Sequence, residues 1–278
     1  YAFRTRYAVV IEATAAGGTH RYQKIVKFKN LKELGKTVSP HSYRILKKEC
    51  LDLPDKVYSK RFVELSDEQK KAYAEMKANA MSILKGESMT AVNVLTQLIR
   101  LHQITCGHMK TDSHQVIDLK NNRLTELMQI LDETSGKAII WANYIHDIEA
   151  IEKAVKKEFG NDSCCTYYGA TAAEDRQKCV NNFQDPDSPV RFFIGNTQTG
   201  GYGLTLTAAS TVIYYSNNYD LEKRIQSEDR AHRIGQTNKV LYIDLIAEGT
   251  VDEKIIKSLR NKVNIAKEIS GEELITWI

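Results

Sequence analysis

Several things are scarce or missing in this 278-residue chain, and each absence removes a class of protein. There are only five cysteines, at 50, 106, 164, 165 and 179. They contain no C-x-x-C pair and no even framework, so free thiols in a reducing compartment are expected. No stretch approaches the roughly 18 uninterrupted apolar residues of a membrane-crossing helix, and the first residues carry no charged-then-apolar leader, so no membrane partner is expected. Neither charge sign dominates. Lys plus Arg at 39 against Asp plus Glu at 35 gives +4, spread without a basic block, which permits an anionic partner without requiring one. There are no internal repeats or low-complexity tracts. An opening at 1-YAFRTRYAVV, without Met, reads as part of something longer.

A phosphate cradle is also missing. The tripeptide 35-GKT resembles the end of G-x-x-x-x-G-K-T, but the first glycine would fall on Asn30 and a helical pattern precedes it. The acidic pair 132-DE ends a helix-like run, not a strand, and is poorly placed to bind magnesium.

What is present is a regular alternation from about residue 137. The apolar run 137-KAIIWAN reads as a buried strand, and 144-YIHDIEAIEKAVKKEFG as a helix ended by glycine. A strand at 164-CCTYYG precedes the helix 172-AAEDRQKCVNNF, for which Thr171 and Glu174 offer a capping box. Strands at 190-VRFFIG, 211-TVIYYS and 239-KVLYIDLIA continue the series, and Thr250 with Glu253 offers a second box before the helix 251-VDEKIIKSLRNKVNIAKEI. Apolar strands separated by helices of this length imply an α/β fold with a doubly wound parallel sheet, whose ligands sit beyond the carboxyl ends of the strands. Residues 7 to 28 read as a polar hairpin around 15-AAGGTH, and 66-SDEQKKAYAEMKANAMSILKG and 91-AVNVLTQLIRLHQI as helices. This divides the chain into a connector (1–50), a mostly helical segment (51–135), the sheet domain (136–260) and a C-terminal helix (261–278).

The stretch 226-QSEDRAHRIGQ would, as a helix, bring Gln226, Arg230 and Arg233 to one face. Asp229 before Arg233, and Arg224 before Glu228, also allow a plain solvated helix laced with ion pairs. The turn 199-TGGYGLTLTAAS favours a binding role. Gly200, Gly201 and Gly203 let backbone N–H groups approach an anion, and a helix start beyond them would add a favourable dipole. Two arginines without a cradle suggest that they complete a site whose other half lies elsewhere. An arginine delivered to a transferring phosphoryl group contributes about a thousandfold or more in rate.

The string 199-TGGYGLTLTAASTVIYYSNNYDLEKRIQSEDRAHRIGQTNKV resembles motifs V and VI of the SWI/SNF-type ATPases, double-stranded DNA translocases of helicase superfamily two. Residues 137-KAIIWANY resemble the family's motif IV strand, 168-YGATAAEDRQKCVNNF its G-x-(S/T)-x-x-x-x-R-x-x-x-x-x-x-F stretch, 98-LIRLHQITCGH its L-R-Q-I-C-N-H, and 250-TVDEKI the segment after motif VI. The stretches 3-FRTRY and 53-LP resemble the junction between the family's two lobes. The resemblance implies the end of a first lobe, a helical protrusion and a complete second RecA-like lobe. ATP and Mg would be held mainly by an N-terminal RecA-like lobe of the same protein, with double-stranded DNA as the other partner. Arg230 and Arg233 would reach the ATP, Arg233 as the finger, with Gln226, Gly201 and Gly203 at the nucleotide and lobe interface. Asn143, Tyr144, Gly169, Arg176, Thr197 and Thr205 would face or support the DNA backbone, where polar groups and amides grip phosphates without reading sequence. The chain alone would be inactive.

The chain departs from the family where Gln198 stands for Arg or Lys, Thr199 for Ala, and 217-NNYD for an aspartate and W-N-P. Those changes bear on DNA contacts more than on the ATP geometry. His102, Cys106, His108 and His114, spaced four, two and six apart, match no common zinc pattern, so no metal is expected. Cys164 and Cys165 point to opposite faces of a strand as core thiols; Trp141, Tyr167 and Tyr168 read as core, and Lys153, Lys156 and Lys157 as a solvated face. Two other functions stay open: a stand-alone DNA- or protein-binding module, and a strand-separating DNA or RNA helicase of another superfamily-two class. The expected location is intracellular, cytoplasmic for a bacterial or viral source and nuclear for a eukaryotic one.

Overall fold

The apolar runs become strands and the amphipathic stretches become the helices that cover them. In chain order the elements are α1 (Ala2–Tyr7), β1 (Ala8–Thr14), β2 (Arg21–Phe28), α2 (Leu31–Val38), α3 (Lys47–Cys50), β3 (Lys56–Val63), α4 (Asp67–Lys85), α5 (Ala91–Cys106), β4 (His108–Lys110), β5 (Val116–Asp118) and α6 (Asn122–Glu133). They continue with β6 (Lys137–Trp141), α7 (Ile145–Phe159), β7 (Cys164–Tyr167), α8 (Ala173–Gln184), β8 (Phe192–Gly195), α9 (Thr197–Gly200), β9 (Ala209–Tyr214), α10 (Leu221–Ala231), β10 (Val240–Ala247) and α11 (Val251–Ser270). This computed structural model describes residues 2–14, 21–43, 45, 47–85, 91–111, 115–200 and 203–270.

A six-stranded sheet of order β3-β10-β9-β6-β8-β7 organises the molecule, with every pairing parallel. Side chains alternate between its faces, as strand geometry requires. Ala138, Ile140, Phe192, Ile194 and Ile213 lie on one face beneath α6 (Leu127, Ile130, Leu131) and α7 (Ile148, Ile151, Val155). Ile139, Trp141, Phe193, Val212, Tyr214 and Tyr242 lie on the other beneath α8 (Cys179, Phe183) and the end of α10 (Ala231). Helices on both faces exclude water from all the central strands, which is why these read as continuous apolar runs. The fold is the RecA-like doubly wound sheet expected, with Ile255, Ile256 and Leu259 of α11 packing beside Ile246.

Several local expectations are corrected. Lys56–Val63, within the segment read as mostly helical, is an edge strand of the sheet, pairing Lys56 with Val240 through Val63 with Ala247. Thr171 does not cap α8: its hydroxyl accepts from the Tyr168 amide at 3.2 Å, and the helix begins after Ala172 without a side-chain cap. Thr250 does accept the Asp252 amide at 3.2 Å, but Glu253 reaches the amide of Gly249, at 2.9 Å. The helix after it runs unbroken from Val251 to Ser270, across the division placed at 260. The first residues form the expected antiparallel hairpin, β1 on β2, while its turn lies outside the described residues.

Candidate functional site

The arginines of the 226–236 stretch converge, though not by the route expected. α10 ends at Ala231, so Gln226 and Arg230 are helical and Arg233 is not. Gln236 explains the ending: its side-chain amide takes the Ala231 carbonyl at 3.2 Å, the acceptor that another helical turn would have used. The chain then turns through Gly235 at φ +98°. Arg230 and Arg233 nevertheless each donate an Nη1 hydrogen to the carbonyl of Leu204, both at 3.3 Å. Burial, and then the charge of Arg233, lower the pKa of Arg230, which still remains a cation. The neighbouring carboxylate Asp229 is claimed by Lys47 at 2.7 Å and Lys56 at 3.3 Å. Two positive forks therefore meet at the Leu204 carbonyl.

Around them, the 203–208 segment runs directly into β9, and the nearby helix, α9, ends at Gly200. Among the described residues no helix starts between the glycines and β9, where one was expected. Gly203 has φ +73° with open space where a Cβ would stand, an exposed point where another backbone or an anion can approach. Gly201 lies outside the described residues, and Thr205 is half-buried. Gln226 points away from the pair, donating to Glu222 at 2.9 Å.

A second cluster gathers at the carboxyl ends of β6, β8 and β9. Asn143 accepts through its carbonyl from Asn196 at 2.7 Å and donates its amide to Ser216 Oγ at 2.9 Å, while Asn218 Nδ2 reaches its Oδ1 at 3.4 Å. Thr197 stands beside Asn196, its hydroxyl buried and without a hydrogen-bond partner among the described residues. Gly169 is exposed in the loop after β7, and Arg176 folds back onto that loop, donating to the carbonyls of Tyr168 at 3.1 Å and Gly169 at 2.9 Å. Tyr144 is half-buried, its hydroxyl 2.9 Å from His102 Nδ1. The two clusters occupy different places: the arginines stand where α10 returns toward the start of β9, not beyond the strands' carboxyl ends.

Residues 119–235 match the helicase conserved C-terminal domain. The chain is 28% identical to the CHD3-type chromatin-remodeling factor CHR7 of Arabidopsis thaliana, covering 95% of this chain and 23% of that protein. It is 30% identical to the putative ATP-dependent helicase/translocase YwqA of Bacillus subtilis, covering 90% of this chain and 28% of that one. The Sulfolobus solfataricus SWI2/SNF2 ATPase core solved in complex with dsDNA matches with a TM-score of 0.62 at 26% identity, over 87% of this chain and 52% of its own. The chain is of the SWI/SNF type. It spans about a quarter of the length of these two curated relatives.

The SWI/SNF-type lobe also holds groups that sequence reasoning passed over. Arg224, buried on the inner side of α10, pairs with Asp244 of β10 at 2.5 Å and Glu228 at 2.9 Å, and donates to Asn217 at 2.7 Å. Only the Arg224–Glu228 spacing was visible in advance; Asp244 is brought there by the sheet. Gln236 was the unremarked end of a motif string, yet its amide also binds the carbonyls of Thr207 and Ala209, at 3.1 and 2.9 Å, tying the 203–208 segment to α10. The histidines meet carboxylates: His108 Nδ1 lies 3.0 Å from Asp147, and His102 Nε2 lies 3.7 Å from Asp252, which also pairs with Arg123. His114 lies outside the described residues. Trp141 and Tyr167 are core, the latter stacked on Phe193, and Lys156 pairs with Glu152 at 2.6 Å. The cysteines require a correction: Cys165 and Cys179 are disulfide-bonded, joining β7 to α8, while Cys50, Cys106 and Cys164 are free. Two cysteines 14 residues apart, one in a strand and one in a helix, gave no signal of that pairing. No described helix is long and apolar enough to cross a membrane.

Proposed function

We propose that this chain is the C-terminal lobe of an ATP-dependent double-stranded DNA translocase, and that Arg230 and Arg233 complete an ATP site whose phosphate cradle and magnesium ligands belong to a preceding RecA-like lobe. The observation that carries the reading is the convergence of the two guanidiniums at the Leu204 carbonyl, with Asp229 engaged by lysines. Like charges held side by side gain from a multiply charged anion, and planar forks suit phosphate oxygens. Gly203, open and left-handed beside them, leaves room for that approach. The chain carries no phosphate loop after a strand, in keeping with a half-site.

The amide- and hydroxyl-rich edge formed by Asn143, Asn196, Thr197 and Asn218 is neutral, which suits contact with a phosphate backbone without base reading. The Sulfolobus relative was solved on dsDNA, which supports duplex DNA as the track, and the Bacillus relative is described as a putative ATP-dependent helicase/translocase, which supports ATP-driven movement. Nucleotide binding would close the two lobes, bringing the arginines to the transferring phosphoryl group, and loss of that group would let them part. The arginines supply charge stabilisation, not proton transfer.

The test is DNA-dependent ATP hydrolysis by the full-length protein. Arg233→Ala should lower kcat by about a thousandfold or more, and Arg233→Lys should not restore it. Triplex displacement without strand separation should mark the duplex track. DNA-stimulated hydrolysis by the 278-residue chain alone, abolished by Arg233→Ala, would overturn the half-site reading.

A further inference from the structure

Arg233 stands where its helix no longer fixes it. α10 stops at Ala231, and His232 leaves it at φ −91°, ψ 79°. Backbone bonds link Arg233 to Ala231 and Gln236 and the His232 amide to Glu228, and the Arg233 side chain reaches Leu204; beyond these, two contacts from the segment before β3 hold the neighbouring His232. Lys47 Nζ donates to the His232 carbonyl at 3.3 Å and pairs with Asp229 at 2.7 Å. His232 Nε2 lies 2.7 Å from the carbonyl of Pro54, a group that only accepts, so Nε2 carries the ring proton. One turn back, Lys56 at the start of β3 bridges Glu228 at 3.0 Å and Asp229 at 3.3 Å, and Tyr58 donates to Glu228 at 2.8 Å. Two of the gripped residues are chain neighbours of the arginines: Asp229 precedes Arg230, and His232 precedes Arg233.

The grip has an inner and an outer half. Glu228 is fully buried and Lys56 is 18% exposed, which makes that pair part of the fold. Lys47 is 45% exposed and Asp229 28%, and a pair of that kind adds little to stability. It does constrain direction. A displacement of about 1 Å at a catalytic group costs on the order of a hundredfold in rate, so a contact too weak to matter for folding can still matter for turnover.

We propose that Lys47, Lys56 and His232 form a clasp through which the segment preceding the sheet positions Arg230 and Arg233. They are positioning residues: none need touch the nucleotide. The inference rests on the arginine reading above. A shift of residues 47–56 against α10 would release the Asp229 and His232 contacts and leave Arg233 unaligned, linking the path of that segment to hydrolysis.

The full-length protein tests this through steady-state ATPase kinetics at saturating duplex DNA. Lys47→Ala should lower kcat at least about tenfold while leaving the KM for ATP, DNA affinity and melting temperature near wild type, and Lys47→Arg should recover much of the loss. In the Arg233→Ala background, Lys47→Ala should lose most of its effect, since it acts through the arginines it positions and Arg233 is the finger. His232→Gln, which keeps a donor for Pro54, should retain more activity than His232→Ala. An active wild type whose kcat is unmoved by Lys47→Ala, or whose Lys47 and Arg233 effects multiply independently, overturns the clasp and leaves the arginine reading standing. An active wild type indifferent to Arg233→Ala overturns both.

Discussion

A side chain kept for function often contributes little to folding, and Arg233 shows why the two can be separated. It is exposed, lies past the end of α10, and spends one donor on a carbonyl that Arg230 also uses. Removing it deletes a 3.3 Å hydrogen bond to Leu204 but also relieves Arg230 of a neighbouring positive charge. These effects oppose each other, and surface substitutions of this kind stay within about 0.5 kcal/mol. Arg233→Ala should therefore leave the denaturant midpoint of the 278-residue chain almost unchanged. A drop of several kcal/mol would identify Arg233 as structural and remove the basis for treating the pair as a waiting anion site. Gly203 is the complementary case, since a left-handed φ with open space beside it resists substitution by conformation, not by crowding.

At the scale of elements, α10 is fixed by its inner face. Arg224 reaches across to Asp244 and is itself buried, so removing Arg224 strips Asp244 of its guanidinium partner in the core. Breaking such a pair costs about 3–5 kcal/mol, whereas replacing both with packed apolar residues is often tolerated. Arg224→Met should lower the unfolding free energy by an amount in that range, measured by urea denaturation, and an unchanged midpoint would mean that the network holds nothing. The sequence made the central strands legible because burial on both faces leaves an unbroken apolar run, as in 137-KAIIWAN and 190-VRFFIG. It hid β3 because an edge strand needs only part of its surface covered. Lys56, Lys60 and Arg61 interrupt the pattern there, and the partner strand begins at Val240. The end of α10 was hidden for a similar reason, since the Gln236 side chain returns from beyond a turn to take the helix's carbonyl. The arginine site was legible as a spacing and a glycine-rich turn. Its clasp was not, because Lys47 and Lys56 reach it only through tertiary contacts.

For the molecule as a whole, buried titratable groups tie the sheet to its surroundings and make stability depend on pH. Asp252 of α11 meets Arg123 of α6, Thr105 and His102 of α5, and the amide of Ala247 at the end of β10. Burial pushes Asp252 upward, but the Arg123 guanidinium, then His102, hold it below the ordinary carboxylate value. Glu228 behaves likewise: burial raises it, and Arg224 and then Lys56 bring it below. Burial lowers His102, against the pull of Asp252, and also lowers His232, so both rings are favoured neutral in the fold. The signs then follow. Below the ordinary histidine value the unfolded chain takes protons that the folded one resists, so stability begins to fall there and keeps falling toward the folded histidine values. The carboxylate contribution is complete above the ordinary carboxylate value and is lost as pH drops through the lowered ones. Acid should therefore weaken the protein in two stages, the first in the histidine range and the second in the carboxylate range, read as melting temperature against pH. His102→Asn should flatten the first stage and leave most of the second. A flat profile from neutrality to the carboxylate range in the parent protein would show that neither ring is held neutral by the fold, and the tautomer assigned to His232 in the clasp would lose that support.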